Sequence, residues 1–128
     1  MIRVVPVRAA VAALYMAGVL WLSALPGRTV ASWGFSGRTL DLLHIPMFTG
    51  LALATLWAIV GSRRQRALLV FVGLALFAAG DELLQLWVPG RDASLADFVR
   101  DALGVLIGIG IAEAARPVAL ALRREWER

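Results

Sequence analysis

The chain has 128 residues, of which 60% are hydrophobic and only 17% are charged, and its mean hydropathy is +0.77. Because a soluble domain is about half apolar, this composition predicts one domain embedded in a lipid bilayer. All 13 basic residues are arginines, the net charge is +4, and the absence of cysteine excludes disulfides and thiolate metal sites.

The first predicted transmembrane helix covers residues 7–25 and carries no charge after Arg8. Crossing about 30 Å of hydrocarbon takes roughly 20 helical residues, and this run is long enough. The alternative is a cleaved signal peptide, but the apolar stretch is longer than is usual there and "LSALPG" is a poor cleavage site. We therefore expect a retained helix.

The second predicted helix covers residues 42–60, and His44 is its one ionisable group. Two interpretations of Pro46 remain open at this point. If the helix has already begun, the proline frees the carbonyl of Leu42 beside the histidine. If the helix begins at Ile45, Pro46 is an ordinary first-turn proline.

The third and fourth predicted helices, residues 67–87 and 95–116, reach spanning length only with the polar residues at their ends. The uncharged part of the third helix stops at Gly80, and that of the fourth begins at Ala102. The polar ends must therefore belong to helices at membrane depth. We expect residues 117–128 to leave the bilayer and lie along its cytoplasmic surface as an interfacial tail.

The arginines are distributed unevenly between the two sides of these four helices. Nine fall on the side of the termini and the second loop, and four fall on the other side. The positive-inside bias then places both termini in the cytoplasm. The predicted fold is an all-α, four-helix transmembrane bundle. The nine are Arg3, Arg8, Arg63, Arg64, Arg66, Arg116, Arg123, Arg124 and Arg128, and the four are Arg28, Arg38, Arg91 and Arg100.

In this topology the second helix begins, the third ends and the fourth begins at the outer face. Ionisable groups at such a depth face partners or water and often mark function. Asp97, Asp101, Gly104 and Gly108 share one helical stripe, so the acids point into the bundle beside a small-residue packing surface. The candidate binding residues gathered there are Asp41, His44, Asp81, Glu82, Gln85, Arg91, Ser94, Asp97 and Asp101.

Some of these residues also have a purely structural interpretation. Ser94 and Asp97 resemble a capping box, and Asp41 would favour the positive N-terminus of a helix. The arginines beside them can reach lipid phosphate. Glu82 and His44 are harder to explain in this way, because a carboxylate and an imidazole inside apolar helices need partners.

The segment "DLLHIPMF" followed by "DELLQLWVPGRDASLADFVRDALGVLIG" resembles the VanZ-like family of small bacterial integral membrane proteins. The family pattern is similar to D-K-x-x-H, then D-E-x-x-Q, then G-R-x-x-S-x-x-D-x-x-x-N-x-x-G. The resemblance covers about residues 40–110 and adds Gly90 and Gly104 to the polar set. Leu42 and Asp101 stand where lysine and asparagine are usual, so this site is about two charge units more negative.

The resemblance implies a cell-envelope protein of the bacterial cytoplasmic (inner) membrane, with a namesake associated with resistance to the glycopeptide teicoplanin. The first function that fits is an outward-facing site that binds or handles an envelope component, either a lipid-linked glycan precursor or a lipid headgroup. Arg91 would then contact phosphate, and the carboxylates would accept hydrogen bonds from sugar or peptide. The expected partners are membrane lipids and such a precursor, and a narrow bundle is compatible with a homo-oligomer. Nucleic acid is not expected, since no aromatic-interleaved basic motif is present.

The alternative function is a membrane-embedded, metal-assisted hydrolase or transferase that acts on an envelope lipid. Glu82 or His44 would be the general base. A divalent cation would bind through oxygen ligands, and no other cofactor is expected. The candidate metal ligands are Asp81, Glu82, Asp97 and Asp101.

Overall fold

The computed structural model describes residues 1–126, without the side chains of residues 119–124. The chain is 78% helical, in agreement with the predicted all-α class. The helices are α1 (Pro6–Ser23), α2 (Gly27–Ala31), α3 (Gly37–Ala58), α4 (Arg63–Gln85) and α5 (Leu95–Trp126), and two short strands are β1 (Arg3–Val4) and β2 (Ile59–Val60).

Each predicted transmembrane run corresponds to a long helix, but the boundaries differ. A proline opens α1, where its fixed φ and missing N–H fit the first turn. The five-residue α2 is not predicted from the sequence, because Pro26-Gly27 indicates only a helix stop. The fourth predicted helix does begin at residue 95, as α5 does.

The start of α3 lies at Gly37 rather than at residue 42. Ser36 caps this helix, since its Oγ accepts the N–H of Thr39 at 3.1 Å. Pro46 is therefore inside the helix, and the first-turn interpretation of this proline is wrong. Without an N–H, Pro46 cannot donate to the carbonyl of Leu42.

The start of α4 and the end of α5 also differ from the prediction. α4 starts at Arg63 rather than at residue 67, because arginine is a good helix former. α5 continues through Pro117 to Trp126 instead of ending at residue 116. Its 32 residues measure about 48 Å, more than the hydrocarbon thickness of a bilayer. Residues 127–128 of the predicted tail lie outside the described residues, and its position at a membrane surface stays a prediction.

Within the described part of the chain, three helices are long and apolar enough to cross a membrane, namely α1, α3 and α4. α5 carries Asp97, Arg100 and Asp101 near its start. Its role as a fourth membrane span stays a prediction, as does the cytoplasmic position of both termini.

The four long helices contribute to one apolar core. Val19 of α1, Phe48 and Leu51 of α3, Val70 of α4 and Val105 of α5 are all almost completely buried. Burial of such side chains excludes lipid and water from the middle of the molecule and holds the helices in register with one another.

The most extensive helix contact among the described residues lies between α3 and α5 and uses the small-residue stripe. A Cβ at Gly104 would lie 2.5 Å from the carbonyl oxygen of Ile45, and one at Gly108 would lie 2.7 Å from that of Thr49. The Thr49 hydroxyl also lies 3.0 Å from the carbonyl oxygen of Gly104. This packing holds the first turns of α5 against the turn of α3 that contains His44.

The connections gather at two opposite ends of the molecule. At one end β1 pairs with β2 in antiparallel register, and Arg63 forms an ion pair with Glu113 at 2.7 Å. At the other end the N–H of Gly27 donates to the carbonyl of Pro89 at 3.0 Å. This second end contains the C-termini of α1 and α4 and the N-termini of α3 and α5, and we refer to it as the polar end.

Candidate functional site

The last turns of α4 place three polar side chains inside the polar end. Asp81 is 0% exposed and Glu82 is 7% exposed, although both carry a carboxyl group. Gln85, one turn after Asp81, is also buried. Buried carboxylates are costly unless they are paired or hydrogen-bonded, so the partners of each oxygen matter.

Asp81 is held by a serine of α1. The Ser23 hydroxyl donates to Asp81 Oδ2 at 2.7 Å, and both residues are buried. The second oxygen, Oδ1, has no hydrogen-bond partner among the described residues. The sequence analysis does not find Ser23, because a lone serine in an apolar helix can satisfy its hydroxyl with its own backbone and so gives no signal.

His44 of α3 and Asp101 of α5 form a direct pair. His44 Nδ1 lies 2.8 Å from Asp101 Oδ1. Asp101 is 0% exposed, and its Oδ2 has no partner within the described part of the chain. The close packing at Gly104, one turn further along α5, positions this pair.

Glu82 completes a group of three ionisable side chains from three helices. Its Oε2 accepts the backbone N–H of Ser94 at 2.6 Å, while its Oε1 is buried and unpartnered among residues 1–126. One nitrogen or oxygen atom from each of His44, Glu82 and Asp101 lies within 4.8 Å of the others. We call these three residues the His44 cluster.

The remaining acids lie on the rim of the polar end. Asp97 forms an ion pair with Arg100, whose guanidinium also lies 3.8 Å from a carboxylate oxygen of Asp41. Ser94 Oγ accepts the N–H of Asp97 at 3.2 Å, as expected of an N-cap. Asp41 and Asp97 therefore share one arginine, Arg100, which is outside the candidate set.

Arg91 follows a tight turn in which Gly90 adopts a φ of 72°. Its Nη2 lies 3.5 Å from the carbonyl oxygen of Leu22, and its Nε has no partner in the described part of the molecule. Arg91 lines a cavity of about 110 Å³ together with His44 and Ser23. The other lining residues are Leu22, Val30, Trp33, Leu40, Leu43 and Met47.

An apolar groove adjoins this cavity between α1 and α3. It has a volume of about 370 Å³, and Leu22 and Met47 line both the groove and the cavity. Tyr15, Val19 and Trp21 form much of the rest of its wall. The polar end thus contains a cavity lined by a guanidinium and an imidazole. The groove beside this cavity has the apolar wall that a hydrocarbon chain needs.

The four predicted metal ligands do not lie together in one site. Glu82 and Asp101 lie in the His44 cluster, whereas Asp81 is bonded to Ser23 and Asp97 is paired with an arginine. Three carboxyl groups, those of Asp81, Glu82 and Asp101, are buried here near the imidazole of His44 and the guanidinium of Arg91. Such a group can share protons, accept hydrogen bonds or hold a cation.

The comparisons with known proteins identify the family of this arrangement. No curated protein and no solved structure matches the chain. The model of the VanZ/LLP1 family matches residues 11–116. This range contains α3, α4 and most of α1, together with all the polar residues described at the polar end. The chain therefore belongs to the VanZ/LLP1 family, and its three apolar helices identify it as a membrane protein.

Proposed function

We propose that the polar end faces outward and binds the phosphate group of a cell-envelope lipid. The observation that carries this proposal is that Leu22 and Met47 line both the polar cavity and the apolar groove. An amphiphilic lipid needs this combination, because its charged headgroup and its hydrocarbon tail must be bound side by side. The outward orientation rests on the uneven distribution of the arginines.

Arg91 supplies the contact to phosphate. Its Nε is buried without a partner among the described residues, and Arg91 lines the cavity. Guanidinium groups bind phosphate through strong, charge-assisted hydrogen bonds. Trp21 and Trp33 are both partly exposed beside the groove and cavity, as is typical of residues at the headgroup level of a bilayer.

The carboxylates on the rim, Asp41 and Asp97, extend the proposal to a lipid-linked glycan precursor. Ionised carboxylates only accept hydrogen bonds, and sugar hydroxyls and peptide amides are donors. The bound lipid is then either a phospholipid headgroup or the precursor, which share the phosphate. Binding of the precursor would change its exposure to a glycopeptide, and the proposal thereby extends to the teicoplanin resistance that the family resemblance implies.

Lipid binding to the purified protein in detergent micelles tests this proposal. We expect native mass spectrometry to show retention of phosphatidylglycerol or undecaprenyl phosphate, and no retention of neutral diacylglycerol. Preference for undecaprenyl phosphate over phosphatidylglycerol would favour the carrier lipid of the precursor over a phospholipid. Arg91→Gln is expected to weaken binding by about tenfold or more, because a hydrogen bond to a charged group contributes ~1.5–3 kcal/mol.

The matched control is Arg38→Gln, since Arg38 is exposed at the same end of the molecule but does not line the cavity. This variant should bind lipid as the unmodified chain does. Equal losses in the two variants, or retention of diacylglycerol, would contradict the proposal.

A second candidate function is a hydrolase or transferase that acts on an envelope lipid. It is favoured by the 2.8 Å contact between His44 Nδ1 and Asp101 Oδ1, with Glu82 nearby, because a carboxylate that orients an imidazole is common in proton transfer. Release of phosphate from undecaprenyl diphosphate by the purified protein, and its loss in His44→Gln, would support this function. Lipid binding without any release would assign the site to binding alone.

A further inference from the structure

The His44 cluster contains atoms that lipid binding leaves unused. Each of its carboxylates uses one oxygen within the protein: Asp101 Oδ1 contacts His44, and Glu82 Oε2 accepts the N–H of Ser94. The other two oxygens, Asp101 Oδ2 and Glu82 Oε1, are buried and have no hydrogen-bond partner in residues 1–126. Both side chains are more than nine-tenths buried. Such oxygens are costly unless a positive group approaches them.

We propose that His44, Glu82 and Asp101 bind one divalent transition-metal ion, such as Mn²⁺ or Zn²⁺. One candidate ligand atom from each lies within 4.8 Å of the others. Ligands with bonds of about 2.1 Å to a shared ion lie roughly 3–3.5 Å apart. Displacements of the ligand atoms by about 1 Å therefore suffice to close the site around an ion.

The backbone around these ligands is well placed to hold them. They come from α3, α4 and α5, one from each helix. The contacts of Gly104 with Ile45 and Phe48 hold α3 and α5 close together beside the cluster. The Ser94 N–H holds one oxygen of Glu82 at the start of α5, which leaves the other oxygen for an ion. Orientation of ligands by neighbouring hydrogen bonds is typical of metal sites.

The donor set decides the kind of metal. An imidazole nitrogen with two carboxylate oxygens suits Mn²⁺, Fe²⁺ or Zn²⁺, whereas Mg²⁺ and Ca²⁺ favour oxygen ligands alone. Three protein ligands leave at least one coordination position for another group. His44 also lines the cavity of Arg91, so that position would be reached from the proposed lipid site. The metal proposal itself does not depend on lipid binding.

Direct metal binding to the full chain tests the proposal. The protein is purified in detergent, treated with EDTA, freed of the chelator and titrated with Mn²⁺ alone. We expect one tightly bound Mn²⁺ per chain, with nitrogen coupling from an imidazole in its pulsed electron paramagnetic resonance spectrum. Zn²⁺ should displace the Mn²⁺, as the order of divalent affinities requires, and Mg²⁺ at the same concentration should not.

Two variants and a control assign the ligands. His44→Gln should abolish the nitrogen coupling, and Asp101→Asn should weaken Mn²⁺ binding by at least about tenfold. Asp92→Asn, a change in the exposed loop before α5, should alter neither. Equal Mn²⁺ affinity in Asp101→Asn and Asp92→Asn would overturn the proposal.

Mn²⁺ binding to the unmodified protein tests the metal proposal even if a variant does not fold. Folded protein that binds no Mn²⁺, or that binds it without nitrogen coupling, would overturn the proposal. Retention of phosphate lipids by metal-free protein would leave the proposed function intact, so the two proposals can fail separately.

Discussion

The hydroxyl of Ser23 is the one contact described between α1 and the buried carboxyl group of Asp81. Since the other oxygen of Asp81 has no partner among the described residues, removal of the hydroxyl leaves a buried carboxyl group without any hydrogen bond. A polar side chain in an apolar helix thus joins two elements of the polar end, α1 and α4.

Ser23→Ala is expected to lower the free energy of unfolding by about 1–3 kcal/mol, the cost of an unsatisfied buried polar group. Unfolding by added sodium dodecyl sulfate, followed by circular dichroism, measures this change. Ser32→Ala is the control, because Ser32 is exposed and its hydroxyl donates to the nearby carbonyl of Thr29. The control should stay within about 0.5 kcal/mol of the unmodified protein.

A double-mutant cycle separates this contact from general damage to packing. We expect Ser23→Ala to cost less when Asp81 is already Asn, with a coupling energy of about 0.5–3 kcal/mol. Additive losses for the two substitutions would mean that the contact contributes nothing to stability.

At the scale of elements, the contact of α3 with α5 determines the geometry of the His44 cluster. Helices in lipid gain little from burial of apolar surface against one another, so close backbone approach and hydrogen bonds hold them together. Gly108 allows that approach: a Cβ there would lie 2.7 Å from the Thr49 carbonyl oxygen and 2.8 Å from the Cβ of Ala52. Both atoms belong to or adjoin the backbone of α3 and cannot move aside cheaply.

Gly108→Ala is expected to destabilise the protein by about 1–3 kcal/mol, because overpacking at the helix contact outweighs the better helix propensity of alanine. Gly110→Ala provides a matched control on the same helix, since a Cβ there meets nothing within 4 Å. The control should be neutral or stabilising by up to about 1 kcal/mol. Thermal unfolding in detergent measures both, and a stabilising effect at both positions would exclude close packing at Gly108.

At the scale of the whole molecule, the polar end and the end with the paired strands lie at opposite ends of the long helices. The excess of arginines lies on the side of the strands and the loop between α3 and α4. This asymmetry predicts that the arginine-rich side is cytoplasmic, because arginine-rich loops tend to stay in the cytoplasm.

Cysteine labelling on whole cells checks the orientation, and the chain has no native cysteine to interfere. Asp92→Cys and Gln65→Cys lie in exposed positions at opposite ends. We expect an impermeant thiol reagent to label position 92 on intact cells and position 65 only after permeabilisation. Labelling at position 65 alone on intact cells would reverse the proposed topology.

The sequence alone determined the class of the protein and the neighbourhood of its polar residues. Long apolar runs must form helices in lipid, because only a helix satisfies its own backbone groups there. The order of those runs then requires Asp81 and Glu82 to lie near His44 and the start of α5. Boundaries such as Gly37 and Trp126 could not be placed in this way, because caps and alanine-rich flanks extend a helix beyond its apolar stretch.

Only the tertiary structure decided which polar groups are partners. Asp97 and Asp101 share one stripe of α5, yet Asp101 meets His44 whereas Asp97 pairs with Arg100. Asp81 binds Ser23, which no spacing in the sequence connects to it. These choices depend on how far each helix is rotated and shifted against its neighbours. Close contacts such as that of Gly104 with Ile45 set those rotations, and they lie between residues far apart in the chain.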